Sequence, residues 1–113
     1  MTDCLFCKIV AGEIPATVVH ESKTSIAFRD INPQAPTHVV VVPREHYADV
    51  SALAAADPGL AGALVATATE VARVEGIADA YRLVFNTGAG AGQSVFHVHC
   101  HVLGGRGLSW PPG

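Results

Sequence analysis

Charge is scarce in this sequence. Seven Lys and Arg and ten Asp and Glu make up 15% of the 113 residues, for a formal net charge of −3. A basic excess is therefore missing, and with it any electrostatic footing for nucleic acid as a non-specific partner. Long apolar runs are missing too. Asp57, Pro58 and Glu70 interrupt the richest stretch, so nothing approaches the ~20 residues of a membrane helix and no membrane partner is expected. The opening "MTDCLFCKIV" lacks a basic n-region and a long apolar core, so no secretory signal is expected. Cysteine is limited to three, unevenly spaced. That is too few for a disulfide framework and points to a reducing cytoplasm, where Cys4-x-x-Cys7 means metal, redox chemistry or nothing. What is plentiful is apolar character, at 50% of residues, which excludes disorder. With no repeat and no linker, residues 1–113 read as one domain, and a chain of this length buries ~65% of its unfolded surface.

The chain divides into short apolar runs separated by turn residues. "KIVAGEIPA" reads as a short helix or irregular segment broken at Gly12 and Pro15. "TVVHE" and "SIAFRD" are strand-like and joined by the polar "SKTS", which predicts a hairpin. "NPQAP" is extended or turning, because each proline biases its predecessor away from helix. "THVVVVP" is too continuously β-branched for a half-exposed edge, which predicts a central strand. Asp57 as N-cap and Pro58 as first helical residue open the main helix. Leu60, Leu64, Ala68, Val71 and Ala72 follow at helical spacing, and Gly76 stops it. "YRLVFN" returns as a strand, "TGAGAGQS" is a loop, "VFHVHCHVL" is the last strand and "GGRGLSWPPG" a tail. The fold class is α+β: about five strands, mainly antiparallel, with one main helix across a face and a short helix.

The last strand is chemically unusual. With side chains alternating faces, His97, His99 and His101 share one face, while Val98, Cys100 and Val102 share the other. Cys100 then reads as a small core residue. The imidazoles stand ~6–7 Å apart, a row that can address several atoms of one ligand or let two neighbours chelate a metal. Burying three imidazoles without partners would cost on the order of several kcal/mol, which argues against an idle row. The preceding "GAGAGQS" offers backbone N–H groups that can approach an anion closely, though no Gly-Lys-Ser/Thr follows to make a P-loop. A phosphate cradle beside histidines is the reading. A neutral imidazole nitrogen is a competent nucleophile at phosphorus near neutrality, its reference pKa being about 6.5.

"HVHCHVL" resembles the His-φ-His-φ-His-φ-φ signature of the histidine triad (HIT) superfamily. "DCLFCKIVAGEIPA", "FRDINPQAPTHVVVVPREH", "GQSVFHVHCHVLGGR" and "SWPPG" extend the resemblance over nearly the whole chain, toward the Hint branch of nucleotide-binding phosphoramidases. The resemblance implies a HIT-like fold with a glycine-rich phosphate loop before the last strand. It also implies a hydrolase that cleaves purine nucleoside 5′-phosphoramidates in two steps. His99 would attack the α-phosphorus to form a nucleotidyl-histidine, and water would release the monophosphate, of AMP or GMP type. His101 would contact the phosphate and handle the leaving group's proton, with Ser94 near the leaving amine and His38 orienting the nucleophile. Asp30 matches the ribose-binding residue, and Leu5, Phe6, Ile9, Phe28 and Ile31 match the apolar base pocket. Asn86 and Gly92 match positions lining the ribose–phosphate site, and Gln93, Ser94 and Val95 join them as nucleotide contacts. Cys100 departs from the larger aliphatic usual there, on the face away from the site.

Cys4 and Cys7 have half of a zinc site by spacing. In bacterial members that the chain resembles, two histidines matching His46 and His97 complete a structural zinc site; no organic cofactor is implied. The same resemblance implies a homodimer, with Trp110 in the tail reaching toward the partner's nucleotide site. A dinucleoside polyphosphate hydrolase, a zinc hydrolase and a non-catalytic nucleotide-binding module are the alternatives. Ser94 and the "SWPPG" tail weigh against the first. No nearby Asp or Glu is expected on that face to serve the second as base, and intact His38, His99 and His101 weigh against the third.

Overall fold

Turn residues and β-branched runs build one sheet. The computed structural model describes residues 3–113; Met1 and Thr2, where the stretch read for a secretory signal begins, lie outside it. The strands are β1 (Val18–Glu21), β2 (Ser25–Arg29), β3 (Thr37–Pro43), β4 (Tyr81–Val84) and β5 (Cys100–Gly104). Their order is β1-β2-β3-β5-β4, every pair antiparallel. The hairpin of β1 and β2 forms as expected. β3 is the middle strand, with Val41 opposite Ala27 on one side and Cys100 on the other.

The two faces of the sheet are covered unequally, and this places the site. On one face Ala27, Val39, Val41, Cys100 and Val102 pack against Leu64, Ala68, Val71 and Ala72 of helix α3 (Pro58–Val74). Each fully buried Leu or Val there contributes roughly 1.5–3 kcal/mol. On the other face Ile26, Phe28, Val40 and Val42 cluster with Phe6, from the six-residue helix α1 (Leu5–Val10), with its neighbours Cys4, Ile9 and Val10, and with Val95. So small a cover leaves part of that face open. No helix among the described residues is long and apolar enough to cross a membrane.

The main helix starts and stops as its sequence dictates. Asp57 accepts the Leu60 N–H at 3.0 Å. At the other end the Gly76 and Ile77 N–H groups return to Arg73 and Ala72 carbonyls, with Gly76 at φ 76°. This left-handed stop suits glycine. Asp57 also closes a helix that the sequence reading lacks, α2 (Val50–Ala56), by donating its N–H to Leu53 at 2.8 Å. Asp57→Ala is expected to cost about 1 kcal/mol, the usual worth of an N-cap, measurable as a lower midpoint in chemical denaturation.

Three boundaries differ from expectation. The short helix forms over Leu5–Val10 rather than over "KIVAGEIPA". The "TGAGAGQS" loop contains one 3-10 turn, Ala89–Ala91. The last strand begins only at Cys100, so of the three histidines His101 alone lies within it. Continuing the register would set Val98 opposite Pro43, which has no N–H for the ladder. Val98 instead donates to Tyr47 at 2.7 Å.

Candidate active site and metal centre

Although His97 and His99 precede β5, all three histidines stay on the Phe6 side. The Phe6 ring stands edge-on to His97 at 6.1 Å and to His99 at 5.0 Å, and His99 stands 5.0 Å from His101. Cys100 is fully buried on the opposite, helix-covered face, where burial pushes its thiol up to about 12. It is a core residue.

Hydrogen bonds fix the tautomer of each imidazole. His99 donates Nδ1–H to the His97 carbonyl at 2.8 Å, so its lone pair is on Nε2. His38 accepts the Gln34 N–H on Nδ1 at 3.0 Å and therefore carries its proton on Nε2, which it donates to His101 Nδ1 at 2.8 Å. His101 is left with its own proton on Nε2. The direct partner of His38 is therefore His101, while the His97 backbone carbonyl holds His99, so any effect of His38 on the nucleophile passes through His101. Burial, then the neighbouring His99 and His38, push His101 down to about 4 against an opposing pull from Asp30. Burial likewise lowers His38 and His99. These imidazoles are neutral near pH 7, as a nitrogen nucleophile requires.

His99 and His101 wall a cavity of about 800 Å3, within the roughly 300–1,000 Å3 of small-ligand sites. Leu5, Phe6, Ile9, Phe28 and Ile31 supply its apolar side; Asp30, Asn86, Gly92, Ser94 and Val95 complete the expected lining. Asp30 is held by the Asn32 N–H on Oδ1 at 2.8 Å, with Oδ2 3.4 Å from His38 Nε2. Gly88 at φ 88° and Gly92 at φ 93° turn the loop in a conformation that side chains with Cβ rarely adopt.

A second cluster sits behind Phe6. Cys4 Sγ and Cys7 Sγ each lie 3.4 Å from His97 Nδ1, and His46 Nδ1 lies 3.3 Å from Cys7 Sγ and 3.1 Å from His97 Nδ1. All four donor atoms fall within 4.8 Å of one another. Ligand bonds of ~2.3 Å for sulfur and ~2.0–2.1 Å for nitrogen at tetrahedral angles set donor separations of ~3.3–3.8 Å. The Sγ–Nδ1 and Nδ1–Nδ1 separations of 3.1–3.4 Å are near this range, so the four residues could hold zinc. His97 adds the usual outer support, donating Nε2–H to the Pro43 carbonyl at 2.9 Å and so turning Nδ1 toward the cluster. Asp30, His38 and His101 also converge within 4.8 Å, which corrects the expectation of no acidic residue near the histidines, but the 2.8 Å between the two imidazole nitrogens is a hydrogen bond, shorter than the ~3.3 Å between two nitrogen ligands of one zinc.

A family model described as HIT domain matches residues 11–108. The chain belongs to the HIT domain family. It is 50% identical over 111 residues to an uncharacterized HIT-like protein of Synechocystis sp., covering 98% of this chain and 97% of that protein. It is 47% identical over 112 residues to the 14 kDa zinc-binding protein of Zea mays, covering 96% and 87%. The crystal structure of a HIT family hydrolase from Legionella pneumophila Philadelphia 1 matches with a TM-score of 0.93 at 51% identity, over 98% of this chain and 100% of that one. The α+β HIT fold expected from the sequence is therefore the fold observed.

Gln93, expected at the nucleotide, falls outside this HIT cavity. Gln93 is buried and used up in the loop: Oε1 accepts the Gly88 N–H at 2.9 Å, and Nε2 donates to the Ala48 and Val95 carbonyls at 2.8 and 3.1 Å. It shapes the glycine loop from behind. Trp110 is 83% exposed and absent from the lining. Its tail is tied beside β4, where Arg82 donates to the Ser109 carbonyl at 2.8 Å. Conversely, Ile14, Pro15, Ala16, Thr17, Arg29 and Val40 line the cavity without having been singled out. The "IPAT" stretch signals only a helix breaker in sequence. Val40 becomes visible once the register sets it opposite His101.

Proposed function

We propose that this HIT protein is of the Hint branch and hydrolyses the P–N bond of purine nucleoside 5′-phosphoramidates through a nucleotidyl-histidine. The observation that carries this reading is the fixed tautomer of His99: its Nδ1–H is spent on the His97 carbonyl, which leaves the Nε2 lone pair on a residue of the cavity wall. The base would lie among Phe6, Ile9 and Phe28, the ribose hydroxyls on Asp30, and the phosphate against the turn at Gly92. His99 Nε2 attacks the α-phosphorus and the P–N bond breaks. Water then attacks the same phosphorus, the Nε2–P bond breaks and the nucleoside monophosphate leaves.

His101 has a narrower part than a proton carrier. His38 donates to its Nδ1 and is itself held by the Gln34 N–H, so an added proton on either ring would set two donors against each other. His101 therefore presents Nε2–H to the phosphoryl oxygens, where charge builds in the transition state. The departing nitrogen draws its proton from the solvent side, through the exposed Ser94 hydroxyl, and the attacking water returns one by the same route. Cys4, Cys7, His46 and His97 would hold zinc in a structural role, since four protein donors leave no open position. We further propose a cytoplasmic homodimer joined along β4, whose outer edge no other described strand pairs and beside which the Trp110 tail is tied.

A substrate panel tests the assignment. Adenosine 5′-phosphoramidate is expected to turn over at least tenfold faster than a diadenosine polyphosphate in kcat/KM. The reverse preference would move the protein to the polyphosphate hydrolases, and folded protein inert toward both would leave a binding module.

A further inference from the structure

The metal centre and the cavity share one short helix and one histidine. α1 has six residues, and helices under ~12–15 residues are marginal in water by themselves. Cys4 and Cys7 reach the His46 and His97 rings, and Phe6 packs edge-on against His97, His99 and Phe28. The same helix puts Leu5, Phe6 and Ile9 on the cavity wall. His97 is the second link. Its ring belongs to the four-donor cluster, while its carbonyl accepts the His99 Nδ1–H at 2.8 Å. Any shift of α1 or of the His97 backbone therefore reaches the cavity wall and the nucleophile together.

From this we propose that the Cys4/Cys7/His46/His97 centre and the nucleotide cavity are coupled through α1, with Phe6 as the link, so that zinc and nucleotide each tighten the other's binding. Zinc on the four donors fixes α1 and His97 in the arrangement that accepts a nucleotide. Without it, the nucleotide bears the cost of ordering both. Cys4, Cys7 and His46 are then positioning residues for the cavity, beyond tethering a chain terminus. The coupling rests on the nucleotide reading above. Linkage requires the two effects to be equal, and couplings of this kind are roughly 5- to 150-fold.

The test uses the full chain, zinc and AMP. In calorimetric titration the Kd for AMP is expected to rise at least about fivefold when zinc is stripped. Zinc release from the loaded protein into an excess of chromophoric chelator is expected to slow at saturating AMP, because zinc then leaves a more tightly held α1 and His97. That second measurement starts from folded protein and stands whether or not the stripped chain folds. In Phe6→Leu, which keeps all four donors and the His97 link, saturating AMP is expected to slow release clearly less than in wild type. Equal slowing in Phe6→Leu would mean that AMP acts by stabilising the whole fold and would overturn the proposal. So would wild-type release that ignores bound AMP. AMP that fails to bind the loaded protein would overturn the nucleotide reading itself, and the coupling with it.

Discussion

His99→Ala is expected to lower kcat/KM for adenosine 5′-phosphoramidate by at least about 10^3-fold, on the scale seen when a nucleophile is removed. AMP affinity is expected to stay within a few-fold of wild type. The split follows from the geometry. The cavity is lined by many groups, of which the His99 ring is one, so its loss leaves the apolar base wall and Asp30 in place. No neighbour replaces its nitrogen: His97 Nδ1 is turned into the four-donor cluster, and His101 Nδ1 already accepts from His38. A parallel steady-state and calorimetric comparison of the two proteins reads both quantities. Activity retained in the variant would remove the covalent histidine from the mechanism.

Acidification from pH 7.5 to 5 is expected to destabilise the fold by about 2 kcal/mol through His101 alone. Burial, followed by His99 and His38, pushes the folded pKa of His101 from 6.5 down to about 4. Below about 6.5 the unfolded chain binds a proton that the folded chain refuses until about 4. The unfolded state thus binds more protons across this window, and stability falls as pH falls through it. His38 is shifted in the same direction, also by burial, and adds to the loss. The measured interval, pH 7.5 to 5, lies above the reference carboxylate values of about 3.9 to 4.3. Denaturant unfolding at the two pH values measures the drop, and His101→Asn is expected to show a smaller one. A wild-type midpoint that does not move would contradict a neutral His38–His101 pair.

Much of this could be read from residue types alone. The β-branched run of β3 announced a middle strand, Asp57-Pro58 and Gly76 bracketed α3, and the alternation of "HVHCHVL" separated the histidine side from the core side. What resisted reading depends on partners distant in sequence. The β3–β5 register sets Val40 opposite His101 and His38 opposite Leu103, which puts His38 diagonally beside His101 and farther from His99. No local pattern encodes that offset. The end of β5 is likewise set by Pro43, more than fifty positions away, whose missing N–H stops the ladder. Seven-residue α2 is alanine-rich with only Leu53 fully buried, too weak a stripe for periodicity to find. The metal donors illustrate both sides: Cys4 and Cys7 show a spacing, but His46 and His97 join them only once the chain is folded.

The central claim is that His99 carries the nucleotide between two half-reactions. The most direct measurement is a single-turnover quench of the wild-type chain with adenosine-labelled phosphoramidate, followed by mapping of any labelled residue. Label on His99 through Nε2, chasing into AMP on further incubation, is the expected result. Label on another residue, or AMP formed with no labelled protein at any time during a turnover, would contradict it.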